Sequence, residues 1–323
     1  MTESELIERY FRQGGAARED VVLGIGDDAA LLRVPADTEL VLTTDALIEG
    51  RHFLAGAPAR SLGHRALAVN LSDIAAMGAT PAWALLSLNL PSVDDAWLRD
   101  FADAFGALAR EHRVALVGGN LGRGPLSITV ELAGLVPTGQ ALRRGGGRVG
   151  DLLYVSGTPG DATQGLAIAL AGAQQLTGSA GDDAAYLQGR LEFPTARVAL
   201  GQALRGLATA CIDVSDGLYT DAQRLLQASG CGARVEIERL PLSPALRRCA
   251  GAGAWRIALR GGEDYELCFT APPSAAAQID AVAVRTGQPV TSIGTLTADA
   301  GMTLRSGDAV IQFSADGFDH FRD

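Results

Sequence analysis

Asp27 and Asp28 stand side by side in Gly24-Ile25-Gly26-Asp27-Asp28-Ala29-Ala30, on a glycine turn between the apolar runs Val21–Leu23 and Leu31–Val34. Two adjacent carboxylates repel unless something positive sits beside them, so the stretch asks for a cation. Gly24, Gly26 and Ala29 also fit the dinucleotide fingerprint G-x-G-x-x-A. That reading fails, because a pyrophosphate would meet Asp27 and Asp28 with like charge, and a strand-like run follows where the motif needs a helix. Taken alone, the stretch is most simply an ordinary acidic turn. Recurrence of the same chemistry argues for more. Thr43-Thr44-Asp45 closes the strand-like run Leu40–Leu42, Asp73 sits within Asn70–Gly78, and Asp213 and Asp216 lie in Cys211–Gly217 at the end of an apolar strand. These six aspartates occupy apolar or small-residue settings where an unpaired carboxylate is costly. At an effective dielectric near 20, each like-charged pair about 4 Å apart costs roughly 4 kcal/mol. If the six converge, the site cannot assemble without metal.

The elements that must position these groups follow from periodicity and turn signals. Ser61–Met77 reads as a helix that puts Asn70 and Asp73, three residues apart, on one face. Trp83–Leu90 reads as a strand, Asp94–Arg113 as an amphipathic helix, Val114–Val117 as a short buried strand and Leu126–Leu135 as another strand. Between the last two, Gly118–Gly124 reads as a glycine loop whose N–H groups could cradle a phosphate. Gln140–Gly150, with Arg143, Arg144 and Arg148 around three glycines, is either a solvated hairpin or a mobile nucleotide clamp. A boundary near Gly150 divides the chain into domains 1–150 and 151–323. The second half alternates strand-like runs, at Leu152–Val155, around Asp213, at Arg234–Glu238, Arg256–Leu259 and Leu267–Thr270 and near Val290 and Val310, with helical ones. The helices fall at Ala162–Leu170, Asp183–Gly189, Thr195–Leu207, Leu218–Ala228, Pro244–Cys249 and Ser274–Thr286. Such alternation predicts an α/β or α+β protein.

The 323 residues carry 47% hydrophobic and 20% charged side chains and a net charge of -10. No apolar run approaches the length of a membrane span, and the N-terminal Glu3–Tyr10 reads as a short amphipathic helix and not a signal peptide. The acidic balance argues against nucleic acid as a partner. Four scattered cysteines form no CxxC pair and the four histidines no HExxH pair, so zinc and thioredoxin-type readings fail and a reducing cytoplasm is expected. All 27 basic residues are arginine. Without lysine there is no P-loop, no protein-kinase strand lysine and no Schiff base, so nucleotide chemistry must use metals, arginine and backbone.

Gly24–Asp28, Thr43–Asp45, Asn70–Gly78, Asp213–Leu218 and Gly261-Gly262-Glu263-Asp264-Tyr265-Glu266-Leu267, taken in order, resemble the thiamine-monophosphate kinase family of the aminoimidazole ribonucleotide synthetase (PurM-like) superfamily. The resemblance runs from about Glu5 to Phe321. It implies a PurM-like two-domain fold, with an N-terminal sheet domain forming a barrel with its twin in a homodimer. It also implies ATP-dependent phosphorylation of thiamine monophosphate with several Mg²⁺ ions, in the cytoplasm. By the same resemblance, Asp28, Thr43, Thr44, Asp45, Asp73, Asp213 and Asp216 match the metal-binding positions, with Asp27 as an adjacent or shared ligand. Gly119, Asn120, Arg144 and Ser215 match nucleotide contacts, and His52, Glu263 and Phe318 match substrate contacts. Asp45, Asp73 and Arg144 are the expected catalytic groups. One departure stands out: the family usually carries Asp-Thr where this chain has Asn120-Leu121. An amide oxygen can still ligate Mg²⁺ but brings no charge, so one metal site should be weaker. An aminoimidazole ribonucleotide synthetase-like activity, or a non-catalytic nucleotide and Mg²⁺ sensor, are the alternatives.

Overall fold

The computed structural model describes residues 1–172 and 179–315. The chain divides into two compact units, one made of Met1–Ile74 with Ala79–Gly139, the other of Ala75–Gly78 with the chain from Gln140 onward.

In the first unit, a one-turn helix α1 (Glu3–Leu6), closed by a reciprocal capping box between Thr2 and Glu5, runs into a π-helical turn at Ile7–Phe11. The strands are β1 (Val21–Leu23), β2 (Leu31–Leu32), β3 (Thr38–Ile48), β4 (Thr80–Leu90), β5 (Ala115–Arg123) and β6 (Ser127–Pro137), with helices α2 (Ala59–Ala76) and α3 (Asp95–Glu111). β1 and β2 form a separate antiparallel pair. The other four make one sheet in the order β3-β6-β4-β5, antiparallel except for the parallel β4–β5 pair that α3 connects. α3 starts where the Asp94 carboxylate accepts from Ala96 N at 2.9 Å and Trp97 N at 3.1 Å, and it buries Leu98, Phe101, Phe105 and Leu108 on one face. Gly63 of α2 lets the two helices cross closely, since a Cβ there would lie 2.2 Å from the Phe101 carbonyl oxygen.

Alternation along the strands sorts the sheet residues into two faces. Val41, Thr43 and Asp45 pair with Gly134, Leu132 and Val130 on the side that α2 covers, where Ile74 reaches Gly134. Leu40, Leu42 and Thr44 share the opposite side with Glu131, Ala133 and Leu85.

The second unit contains a seven-stranded sheet built from β7 (Leu152–Ser156), β8 (Ala210–Val214), β9 (Gly232–Glu236), β10 (Glu266–Ala271), β11 (Val290–Thr297), β12 (Gly301–Ser306) and β13 (Ala309–Ile311). Their order is β13-β12-β9-β11-β7-β10-β8, with only β9–β12 parallel. Its helices are α4 (Asp161–Leu170), α5 (Ser179–Glu192), α6 (Val198–Ala203), α7 (Leu218–Ser229), α8 (Pro244–Ala250), α9 (Ala254–Arg260) and α10 (Ala276–Thr286). α7 buries Leu218, Ala222, Leu225 and Leu226 at helical spacing against Leu153, Val155, Ile212 and Val214 of the sheet.

The mixed α/β architecture matches the sequence reading, with local corrections. Arg256–Leu259 lies in helix α9 and not in a strand, because a short apolar run does not reveal its own period, and Ala258 and Leu259 are buried in the helical conformation. Gly118–Gly124 is largely a continuation of β5, paired with β4 as far as Leu90 and Arg123, and not a free loop. No strand is expected from the sequence at Gly301–Ser306, where β12 pairs with β9. The stretch from Arg143 to Gly147 is docked: Cys211 N of the edge strand β8 donates to Arg143 O at 2.8 Å, and Gly147 N to Ser229 Oγ at 3.1 Å. No helix among the described residues is long and apolar enough to cross a membrane.

Candidate active site

In the first unit, the acidic turn and the end of β5 line one groove of about 850 Å³, in which Asp27, Asp28, Gly119 and Asn120 meet apolar walls from Leu40, Leu42 and Leu85. Gly26 makes the turn possible with φ +125, and Asp28 N donates to Asp27 Oδ1 at 2.8 Å. The Arg12 guanidinium, paired with Glu8 at 2.9 Å, rests 3.3 Å from where a Gly26 Cβ would be. Gly119 has φ +147, and a Cβ on it would lie 1.8 Å from the Leu86 carbonyl oxygen, so only glycine permits this approach of β5 to β4. Gly119 and Asn120 are exposed.

Thr43, Asp45 and Asp73 belong to the other face of the same sheet. Thr43 Oγ1 donates to Asp73 Oδ2 at 2.5 Å, joining β3 to α2. Asp45 is exposed, and Thr44, between the two, points to the groove side by alternation. The expected meeting of the aspartates into one cradle is therefore not present in this unit: Asp27 and Asp28 line the groove, whereas Asp45 and Asp73 sit on the helix face. His52 follows β3 in a turn where its Nδ1 accepts from Ile48 N at 3.0 Å, which leaves Nε2 to carry the proton of the neutral imidazole.

In the second unit, Asp213 is buried in β8 opposite Leu267 of β10, and Ser215 and Asp216 follow in the turn before α7. Asp221, one turn into α7, organises that turn: its Oδ2 accepts from Ser215 N at 3.0 Å and Asp216 N at 2.9 Å, and Arg224 pairs with both Asp221 and Asp216. Burial pushes the Asp221 carboxyl from its ordinary 3.8 up to about 6, against the pull of the Asp216 amide and Arg224. Because the folded form holds this proton more tightly than the unfolded chain, the associated stability is full below about pH 4 and is lost as pH rises through about 6. Melting temperatures across that range in a chelator should therefore show a falling contribution in wild type that Asp221→Asn removes. A slope of the same size in the variant would deny Asp221 this role.

The Gly261–Tyr265 loop leans on the same turn. Glu263 N donates to Ser215 O and Tyr265 N to Val214 O, both at 2.8 Å. The buried Asp264 carboxylate accepts from Gly160 N at 2.7 Å and Ala162 N at 3.3 Å, capping α4, whose own N-cap is glycine. Burial raises the Asp264 pKa well above the carboxylate range. Arg144 is exposed beside the docked glycines, and Phe318 lies outside the described residues. Asp221, Arg224 and Asp264 escape the sequence reading of the site. The signal available was an aspartate in the first turn of a helix after Asp-x-Ser-Asp-Gly, a capping position.

Every donor that the sequence assigns to metal is a carboxylate, hydroxyl or amide oxygen, the hard set that Mg²⁺ takes. Within either unit, no three His, Cys, Asp or Glu side chains among the described residues are grouped to hold an ion.

Comparison with known proteins places the chain in a family. The family model described as AIR synthase related protein, N-terminal domain, matches residues 26–136, and that of the C-terminal domain matches residues 148–307. Thiamine-monophosphate kinase of Salmonella typhimurium is 47% identical over 321 residues, which cover 99% of this chain and 98% of that protein. The Haemophilus influenzae thiamine-monophosphate kinase is 42% identical over 329 residues, covering 100% and 99%. Among solved structures, thiamine-monophosphate kinase from Stenotrophomonas maltophilia superposes with a TM-score of 0.87 at 45% identity, covering 94% of this chain and 96% of that one. A complex described as AaThiL with AMPPCP and TMP gives 0.76 at 33% identity, covering 92% of each. Identity at this level, sustained over both units, means that the chain belongs to the thiamine-monophosphate kinase family of AIR synthase related proteins.

Proposed function

We propose that this chain transfers the γ-phosphoryl group of ATP to thiamine monophosphate, forming thiamine diphosphate and ADP. The observation that carries the reading is full-length kinship with thiamine-monophosphate kinases, one of which has been crystallised with AMPPCP and TMP, on a chain that retains the acidic motifs in order. In the reaction the bond between the β,γ-bridging oxygen and the γ-phosphorus breaks, and a phosphate oxygen of the acceptor forms the new bond. That oxygen is largely ionised near neutral pH, since the second pKa of a phosphate monoester is about 6, so no general base is needed. Catalysis then reduces to alignment and charge neutralisation.

The residues divide that work. Gly119, Asn120 and Ser215 bind the nucleotide through backbone, amide and hydroxyl groups, and the exposed Arg144 lays a positive charge on its phosphates. Thr43, Asp45 and Asp73 on the helix face of the sheet would supply oxygen donors for Mg²⁺, Asp27, Asp28 and Thr44 would do so on the groove side, and Asp213 and Asp216 would do so in the second unit. Mg²⁺ bound at such donors would offset the negative charge of the substrate phosphates. Asp45, Asp73 and Arg144 bear most directly on the transferring group. His52, Glu263 and Phe318 hold the organic part of the acceptor. The chain acts as a cytoplasmic homodimer: Leu40, Leu42 and Leu85 present an apolar sheet face at 46%, 70% and 39% exposure, which a second copy would cover.

Incubation with ATP, thiamine monophosphate and Mg²⁺ should yield thiamine diphosphate, and omission of Mg²⁺ should abolish it. Binding of both substrates without turnover would instead identify a nucleotide and Mg²⁺ sensor. Asn120→Asp adds a charged donor where the chain has a neutral one, and should lower the Mg²⁺ concentration for half-maximal rate by about 3-fold to 10-fold. An unchanged Mg²⁺ requirement would remove Asn120 from the ion's surroundings.

A further inference from the structure

Between α9 and β10 the backbone adopts a conformation that side chains resist. Glu263 has φ +68 and Tyr265 φ +51, both in the left-handed region, and neither is glycine or asparagine. Such geometry persists only where its surroundings over-determine it, and it concentrates at functional positions. The amides of Glu263 and Tyr265 are tied to Ser215 O and Val214 O, and the carboxylate of the residue between them caps α4. The consequence is local: Tyr265, buried at 8% exposure, donates its hydroxyl to Glu263 Oε2 at 2.9 Å.

We propose that Tyr265 is a positioning residue for acceptor recognition, its hydroxyl fixing the Glu263 carboxylate in the orientation that receives the amino-bearing pyrimidine end of the acceptor. The proposal rests on the reading of Glu263 as an acceptor contact. A glutamate left to itself samples several rotamers, and a ligand that needs one of them loses affinity by the fraction of the others. A phenol hydroxyl bound to one carboxylate oxygen removes that freedom in advance. Because the reacting phosphate is at the other end of the acceptor, the benefit is to binding and not to the chemical step.

Steady-state kinetics on Tyr265→Phe, Glu263→Gln and the double variant test this. Tyr265→Phe should raise KM for thiamine monophosphate about 10-fold, the scale of a hydrogen bond to a charged group, with kcat within about twofold and KM for ATP unchanged. Glu263→Gln should raise the same KM at least as far, and Tyr265→Phe should add nothing in that background, as coupled neighbours require. A normal KM in Tyr265→Phe beside a raised one in Glu263→Gln overturns the positioning role alone, as do independent, additive effects. A normal KM in Glu263→Gln overturns the reading of Glu263, and the proposal with it. Glu263→Gly gives a readout that does not depend on the tyrosine: freed of left-handed strain, it should melt no lower than wild type while losing acceptor affinity. A markedly lower melting temperature would overturn the claim that the strained backbone at this position serves the acceptor.

Discussion

Asp45→Asn should lower kcat/KM for thiamine diphosphate formation by about 10³-fold, the scale of losing one preorganised charge at a phosphoryl-transfer centre. The same substitution should leave the melting temperature within about 3 °C of wild type. The asymmetry follows from where Asp45 sits. It is exposed on β3, two residues from Thr43, whose hydroxyl reaches Asp73, and an isosteric amide keeps its volume and a carbonyl oxygen acceptor there. What the amide lacks is the charge that draws a divalent cation and, through it, the phosphates of two anionic substrates into line. Kinetics and thermal unfolding on the same preparation check it, and raising Mg²⁺ should restore part of the rate. A parallel loss of rate and melting temperature would make Asp45 a structural residue and remove the strongest leg of the metal reading.

Glu266→Gln should lower the melting temperature by roughly 10 °C, because breaking a buried ion pair from one side costs about 3 to 5 kcal/mol. Glu266 is fully buried at the start of β10, between Arg190 at 2.9 Å and Arg197, whose Nε is 2.6 Å away. Ser156 Oγ donates to it at 2.6 Å and accepts from Leu267 N at 2.9 Å, so the carboxylate also braces β7 against β10. Gly157 makes room, since a Cβ there would lie 2.0 Å from Glu266 Oε1. Glutamine preserves the volume and leaves two guanidinium groups facing a neutral amide. Calorimetry or thermal fluorescence reads the shift. A change below about 2 °C would show the arginines to be solvated well enough to dispense with their partner.

The local alphabet of the site was readable in advance. Paired carboxylates on a glycine turn, an aspartate three residues from an asparagine on a helix face, and Asp-x-Ser-Asp-Gly after an apolar strand each specify short-range geometry. In the structure these stretches form a turn, a helix and a strand end. The reading failed where the governing contact is distant in sequence. Asp264 looked like one more acidic loop residue, yet it caps a helix through the amide of Gly160, 104 residues earlier. Arg256–Leu259 offered too few residues to declare a period, and tertiary burial chose the helix.

From the order of residues alone come the acidic motifs, their oxygen-only donor chemistry, the absence of lysine and the alternation of strands and helices. These depend on side-chain identity and on spacings of a few residues, which the backbone's own periodicities convert directly into geometry. Only the folded chain decided that Asp27 and Asp28 share a groove with Asn120 while Asp45 and Asp73 occupy the opposite side of that sheet, and that Tyr265 meets Glu263 across a left-handed bend. Strand register and trans-capping set those placements, and both are long-range contacts whose energy exists only once remote segments have been brought together.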